Sequence, residues 1–156
     1  MFYILLVNIF TMFSLVKQSD RPTIYNYVPT CVNLNVSESD LLDYSIKCTA
    51  DILKFCKRNN ISNVEANCVG YSQVCANIFN KIAKTNGYDC YAKPVVGYVK
   101  LFNVNLCKSI SSLANSKTFY NFTKDHDFVE FYINGQIIYA DPCVYDILGD
   151  KCKTVK

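Results

Sequence analysis

The chain has 156 residues and a formal net charge of +3 at pH 7; 51% of its residues are hydrophobic and 19% are charged. This length and composition predict one globular domain with a buried core and exclude a disordered chain, and the small net charge gives no argument for a nucleic-acid partner. Two further counts matter more: there are nine cysteines and one histidine, His126. A single histidine excludes every mechanism or metal site that needs two.

The first sixteen residues carry no charge and are mostly large and apolar. As a helix they would span about 24 Å, which is short for a bilayer and closer to the apolar region of a signal peptide. No Lys or Arg precedes this run and no small-x-small cleavage pattern follows Val16, so the alternative is a buried N-terminal helix or strand. We assign residues 1–18 to a signal or membrane-anchoring segment, which predicts a secreted or membrane-associated protein; the alternative is a cytoplasmic one.

Three N-x-[ST] sequons, at Asn35, Asn60 and Asn121, fit the same oxidising compartment. Eight of the cysteines would form four disulfides and leave one working thiol, or all nine would be small buried residues in a reducing cytosol. Because no C-x-x-C pair occurs and there is only one histidine, we expect no metal site and no cofactor.

Residues 17–36 have a polar, irregular pattern with two prolines, so we place a lead-in at 19–36 before a single domain at 37–156. Ser37 and Ser39 are candidate caps for a first helix over 40–57. Its expected apolar stripe is Leu41, Tyr44, Cys48, Ile52 and either Phe55 or Cys56. A second helix over 68–85 should bury one face, formed by Cys75, Ile78, Phe79 and Ile82, and should end at Asn86-Gly87.

The C-terminal half predicts strands. Residues 90–101 are strand-like, and Pro94 and Gly97 suggest a bulge or an edge there. Residues 102–124 form a Ser/Asn/Lys-rich insertion that we expect to be a surface loop with a short helix. Strand-like runs at 127–133 and 136–140 flank Asn134-Gly135, the strongest signal for a two-residue hairpin, since a type I′ turn needs positive φ at both positions. Helices followed by an antiparallel sheet define an α+β fold.

The hairpin register predicts a histidine–aspartate pair. A two-residue turn pairs Ile133 with Gln136, which places Asp141 opposite residue 128, two positions from His126. Residues two apart on a strand share a face, so both side chains should point the same way and interact diagonally. Cys68 lies at the predicted start of the second helix, where the helix dipole favours a thiolate. An adjacent imidazole can take up the thiol proton, and a carboxylate can orient that imidazole.

Four stretches together resemble the transglutaminase-like superfamily: NCVGYS at 67–72, GYDCYAKPVVG at 87–97, HDFVEFY at 126–132 and YADP at 139–142. In this family a catalytic Cys opens a helix, a glycine and a strand follow, then a His on a strand and an Asp-Pro ending. Where the family usually has Trp near the His and before the Asp, this chain has Phe128 and Tyr139.

The resemblance implies a papain-like, transglutaminase-like core, with the nucleophile-bearing helix packed on an antiparallel sheet. It also implies a cysteine protease, amidase or acyltransferase that uses a Cys68–His126–Asp141 triad through a thioester. The first oxyanion donor would be the backbone N–H of Cys68, and Asn63 or Asn67 is a guess for a side-chain donor. The expected partner is a protein or peptide with an amide, a Gln side chain being one option, with transient membrane association through the N-terminal segment.

A second hypothesis keeps the same fold without catalysis. On this hypothesis the protein would be a secreted, disulfide-containing module that acts by binding. The sequence does not distinguish hydrolysis from amine transfer and does not indicate an oligomeric state. Some of these residues also have a purely structural explanation. Asp141 could be only a turn residue before Pro142, and Gly70 could only let the helix pack against the sheet. We expect Tyr71 to pack in the core and Cys75 to be a buried core residue or a disulfide partner.

Overall fold

The computed structural model describes residues 13–61, 64–101, 104–105 and 126–156. Its strands are β1 (Phe13–Asp20), β2 (Tyr91–Leu101), β3 (Val104–Asn105), β4 (His126–Ile133), β5 (Gln136–Ala140) and β6 (Lys153–Val155). Its α-helices are α1 (Leu41–Arg58), α2 (Cys68–Asn86) and the short α3 (Tyr145–Leu148), with 3-10 turns at Pro142–Val144 and Gly149–Cys152.

The strands form one antiparallel sheet in the order β1-β2-β4-β5-β6, with β3 paired to the end of β2. The outer strands β1 and β6 contact each other, so the sheet is curled. Helix α2 packs on this sheet, and α1 packs on α2. The α+β prediction is therefore confirmed: the fold combines two long helices with a curled antiparallel sheet.

The N-terminal part of the chain differs from the sequence prediction. Residues 17–20 were expected in an irregular lead-in, but they belong to β1, which pairs with β2 along its whole length. Leu15 of this strand is buried in the sheet, and Lys17 forms an ion pair with Glu130. These contacts come from distant parts of the chain, which local propensity does not register. Residues 1–12, most of the predicted signal or anchoring segment, lie outside the described residues, and no described helix is long and apolar enough to cross a membrane.

Helix α1 confirms part of its predicted stripe. Leu41 and Cys56 are buried, whereas Phe55 is 58% exposed. The other predicted members lie partly buried at the margin of the core: Tyr44, Cys48 and Ile52. The fully buried face is shifted from the predicted one and also includes Ser45, Ile46, Thr49, Ala50 and Leu53. The Thr49 hydroxyl contacts Cys75 of α2, and small residues at this contact let the two helices approach closely. The helix ends at Asn59, as predicted, and its N-cap is Asp40 rather than Ser37 or Ser39.

Helix α2 has the buried face predicted from the sequence, and its bounds agree with the predicted ones to within one residue. Its predicted inner face is buried, and the ring of Phe79 meets Phe131 of β4 edge to face, with centroids 5.0 Å apart. The helix ends one residue later than predicted, because Gly87 adopts the left-handed conformation (φ 72°) and donates its N–H to Ala83.

Strand β2 is internal rather than an edge strand, and the bulge lies opposite it. The register shifts between Lys17 and Ser19 of β1, where Gly97 of β2 approaches so closely that a Cβ at this position would lie 2.0 Å from the Val16 carbonyl oxygen. Pro94 is tolerated because its carbonyl accepts from the Arg21 N–H just beyond β1. In an antiparallel strand the missing N–H of Pro94 would face the same side, so no β2–β4 bond is lost.

The hairpin register is the predicted one. Ile133 pairs with Gln136 and Val129 with Ala140, and the turn residues Asn134 and Gly135 both have positive φ, at 51° and 75°. Of the 102–124 insertion, the structure describes only Val104–Asn105, which forms β3; the predicted surface loop otherwise lies outside the described residues.

We expect Gly97→Ala to destabilise the protein by about 2 kcal/mol or more, because the new methyl group would separate β1 from β2. Gly87→Ala is the matched control: it strains a left-handed backbone in open space and should cost only about 1 kcal/mol. Urea unfolding of both variants checks the difference, and an equal loss would contradict the close approach.

Candidate active site

His126 and Asp141 meet in the interior. His126 is the first residue of β4, and Asp141 directly follows β5. Both side chains are fully buried, and the imidazole Nε2 is hydrogen-bonded to Asp141 Oδ2. The predicted diagonal pair across the hairpin is therefore present.

The backbone orients Asp141 as well. Its second carboxylate oxygen, Oδ1, accepts from the Cys143 N–H at 3.0 Å, and its own N–H donates to the Cys152 carbonyl at 3.0 Å. Pro142 opens the 3-10 turn for which Asp141 is the N-cap. Asp141 therefore both caps this turn and orients the imidazole.

Cys68 is the first residue of α2 and is half-buried. Its side chain interacts with the His126 imidazole. Because Nε2 of the ring engages Asp141, Nδ1 is the nitrogen that can exchange a proton with the thiol. The helix start, the first hairpin strand and the end of the second strand therefore bring all three predicted residues together.

Asn67 is the N-cap of α2. Its Oδ1 accepts from the Gly70 N–H at 3.0 Å, its carbonyl accepts from Tyr71, and its Nδ2 donates to Glu65. These contacts leave the N–H groups of Cys68 and Val69 at the helix end without an intrahelical acceptor. Asn67 thus has a capping role, and the other guessed side-chain donor, Asn63, lies outside the described residues.

Gly70 is required by a different neighbour from the one predicted. A Cβ at this position would lie 1.8 Å from the Glu65 carbonyl oxygen and 2.9 Å from Val64. At Gly70 the helix therefore packs against the segment that leads into it. Tyr71 and Cys75 pack in the core, as predicted.

The charge state of the histidine follows from its partners. Burial alone lowers the pKa of His126, but the charge and hydrogen bond of Asp141, together with the Cys68 side chain, outweigh burial and raise this pKa from 6.5 to about 10. At neutral pH the imidazole is therefore protonated. A protonated ring beside a cysteine favours the thiolate, which is the nucleophilic form of that side chain.

Three amide side chains on one face of α2 help to hold this helix in place, and they were not predicted from the sequence. Gln73 bonds the backbone of Pro22 and Ile24, Asn77 bonds the carbonyls of residues 25 and 27, and Asn80 takes both backbone hydrogen bonds of Ala92. The spacing of these amides by four and three residues matches one face of a helix. That polar stripe was the available signal.

Two groups of buried ions surround the start of β4. Arg21 binds Asp127, the neighbour of His126, through two hydrogen bonds of 2.7 Å, and the Asp127 side chain is fully buried. Further along the strand, Lys17 and Lys93 both pair with Glu130. The acidic residues of β4 were visible in the sequence, but their partners lie in β1, directly after β1 and in β2, and could not be assigned from it.

Phe128 and Tyr139, which stand where the transglutaminase-like family usually has Trp, pack edge to face with centroids 5.4 Å apart. They form a second core cluster with Leu15, Val95 and Val99, made by the strands alone.

The eight cysteines among the described residues all carry free thiols; Cys107 lies outside those residues. Burial, with a further contribution from the Asp141 charge, raises the pKa of Cys143 and of Cys152 to about 12. Burial also raises the pKa of Cys75. These three thiols therefore stay protonated at neutral pH and do not compete with Cys68 as nucleophiles.

No protein-family model, curated protein or solved structure matches this chain. The assignment of function therefore depends on the geometry described above.

The raised pKa of His126 predicts a pH-dependent stability. Between pH 6.5 and about 10 the folded protein keeps a proton that the unfolded chain releases, so this stabilisation is complete below pH 6.5 and declines as the pH rises. The free energy of unfolding should fall by up to about 1.4 kcal/mol per pH unit.

Urea unfolding between pH 6.5 and 8.5, below the ordinary thiol pKa of 9.0, isolates this effect from the buried cysteines. His126→Gln should remove most of the slope. A wild-type protein whose stability is flat over this range would contradict the assignment.

Arg21→Gln should cost about 3 kcal/mol, because it leaves the Asp127 carboxylate buried without its ion-pair partner. The double variant Arg21→Gln/Asp127→Asn should recover part of this loss, since no buried charge remains. Strictly additive losses in a double-mutant cycle would show that the two side chains are not coupled.

Proposed function

We propose that the protein is a cysteine-dependent hydrolase or acyltransferase that acts on amides through a Cys68–His126–Asp141 triad. The observation that carries the proposal is the contact of a helix-opening thiol with a buried, protonated imidazole that is itself held by a buried carboxylate. A thiol, an imidazole and a carboxylate in contact in this order are the groups that acyl transfer by a cysteine triad uses.

The reaction would proceed in two steps. The Cys68 sulfur, its proton held on His126, attacks the amide carbonyl carbon; the C–N bond breaks, and the leaving amine takes that proton from the imidazolium. The products are a free amine and a thioester. Water, or an amine acceptor, then gives its proton to His126 and attacks the thioester carbon, which releases the acid or the new amide and restores the Cys68 and His126 pair.

The developing oxyanion needs hydrogen-bond donors where it forms. The Cys68 N–H at the helix end is the first candidate, and the adjacent Val69 N–H also lacks an intrahelical acceptor. Asp141 would hold the ring so that Nδ1 serves the thiol throughout both steps.

We also propose that the fold is a transglutaminase-like, papain-like core. The support is the nucleophile at the start of a helix that packs on an antiparallel sheet, with the histidine at the start of one strand and the aspartate after its hairpin partner. The order of these elements along the chain agrees with the resemblance found in the sequence.

Alkylation by iodoacetamide tests the proposal. In the fully reduced protein at pH 7, Cys68 should react about tenfold faster or more than the exposed thiol of Cys31. His126→Ala should abolish this advantage, and Asp141→Asn should reduce it. Peptide mass spectrometry, with the rate measured per cysteine, reports both effects.

Cys90→Ser is the matched control, because it removes a half-buried thiol away from the triad and should leave the Cys68 rate unchanged. If Cys68 reacts no faster than Cys31, or is found in a disulfide, the catalytic proposal fails and the non-catalytic binding module takes its place.

A further inference from the structure

The chain segment that follows β1, residues 21–27, contacts both elements that carry the reactive pair. The segment contains no helix or strand, and side-chain hydrogen bonds fix it from two directions. One set of bonds comes from α2, which begins with Cys68, and the other comes from β4, which begins with His126. We call residues 21–27 the bridging segment.

On the helix side, the amide of Gln73 holds the bridging segment at two points. Its Nε2 donates to the Pro22 carbonyl at 2.9 Å, and its Oε1 accepts from the Ile24 N–H at 3.2 Å. Gln73 is only 1% exposed, so water does not compete for these bonds. A planar amide that is bonded through both its oxygen and its nitrogen fixes the orientation of the segment as well as its distance from α2.

The next turn of α2 extends this contact. Asn77 Nδ2 donates to the carbonyls of Tyr25 at 2.8 Å and Tyr27 at 3.2 Å. Gln73 and Asn77 are four residues apart and therefore lie on one face of the helix. Of the two, Gln73 is closer in the chain to Cys68, and its partner Pro22 is adjacent to Arg21.

On the strand side, Arg21 holds the bridging segment. Its Nε and Nη2 each donate to one oxygen of Asp127 at 2.7 Å, and the Asp127 side chain is fully buried. Two parallel bonds to one carboxylate fix direction as well as distance. Asp127 follows His126 directly, and it shares a face of β4 with Phe131, which contacts α2. Arg21 therefore joins the segment to β4 on the side where α2 packs.

The position of Gln73 on α2 makes its bonds important for Cys68. Gln73 lies five residues, or about 8 Å along the helix axis, from Cys68, whereas Asn80 lies twelve residues, or about 18 Å, away. The thiol and the imidazole belong to different elements, so their contact depends on how the start of α2 is held relative to the start of β4. A misplacement of about 1 Å is enough to slow a reaction between positioned groups severely.

We propose that Gln73 and Arg21 are positioning residues of the candidate active site: through the bridging segment they hold the start of α2 at the distance from His126 at which Cys68 and the imidazole exchange a proton. This inference rests on the proposed function, since it names residues that act on the same site. Neither residue takes part in a chemical step; both act through Cys68 and His126.

The variant Gln73→Met tests the inference, because it keeps most of the side-chain volume and removes both hydrogen bonds. Asn80→Leu is the matched control: Asn80 also makes two hydrogen bonds to backbone, with Ala92, but further from Cys68. Both variants should lower the urea midpoint, since each leaves a backbone N–H and a carbonyl without their partner. Only Gln73→Met should slow the alkylation of Cys68 by iodoacetamide at pH 7, by about tenfold.

The protonation of His126 gives a second readout that does not depend on the reactivity of the thiol. Because the Cys68 side chain helps to raise the pKa of His126, the pKa should fall in Gln73→Met and stay at the wild-type value in Asn80→Leu. Nitrogen-15 NMR of the single imidazole measures it. A merely structural role of Gln73 would lower the urea midpoint without moving this pKa.

Arg21→Lys tests the other end of the bridging segment under mild conditions, since the positive charge stays and only the paired geometry is lost. It should also slow the alkylation of Cys68. Lys17→Arg is its control, because it makes the reverse exchange at the ion pair with Glu130, further along β4, and it should leave the rate unchanged.

Two outcomes with a fast wild-type Cys68 would overturn the inference and leave the proposed function standing: equal slowing in Gln73→Met and Asn80→Leu, or no slowing in Gln73→Met. Slow alkylation of wild-type Cys68 would instead overturn the proposed function. In that case the pKa of His126 decides on positioning alone: a fall confined to Gln73→Met supports it, and equal pKa values in the two variants contradict it.

Discussion

The hydrogen bond between His126 Nε2 and Asp141 Oδ2 is buried, and the rest of the site depends on it. A protonated imidazole in the interior is costly unless an opposite charge lies beside it. Asp141 supplies that charge, and the Cys143 N–H fixes the direction of its carboxylate. Because Nε2 is bonded to Asp141, Nδ1 is the ring nitrogen that can exchange a proton with Cys68. The hairpin that joins β4 to β5 brings His126 and Asp141 together, so the residues of its turn also determine the geometry of the site.

The thiol reaches this pair only because α2 is held in a fixed position on the sheet. Phe79 packs against Phe131 in the core, while Asn80 ties the helix to Ala92 at the point of β2 where β1 has ended. Gln73 bonds the segment that follows β1, and Arg21 of that segment bonds Asp127 beside the histidine. One short stretch of chain thus links the cysteine-bearing helix to the histidine-bearing strand. Buried polar groups of this kind cost stability when unpaired, which makes the arrangement specific.

The features that depend on residues close together in the chain could be predicted from the sequence. Asn134-Gly135 determined the hairpin register, and through it the His126–Asp141 pair, while Gly87 ended α2. Long-range partners were not predictable in this way: β1 is a strand because β2 lies beside it, and α1 turns Ser45 and Thr49 inward because α2 approaches closely. The contact between Cys68 and His126 was only partly predictable from the sequence. The order of motifs indicated it, but only the packing of α2 on the sheet brings the two side chains together.

Because the chain has a single histidine, every imidazole signal of the protein belongs to His126, and its protonation can be measured directly. Nitrogen-15 NMR of the imidazole across pH 5 to 10 reports the protonation of both ring nitrogens. We expect the imidazole to stay doubly protonated well above pH 7, with a pKa that falls in Cys68→Ala and falls further in Asp141→Asn. An imidazole that titrates near its ordinary pKa of 6.5, and does so equally in both variants, would contradict it.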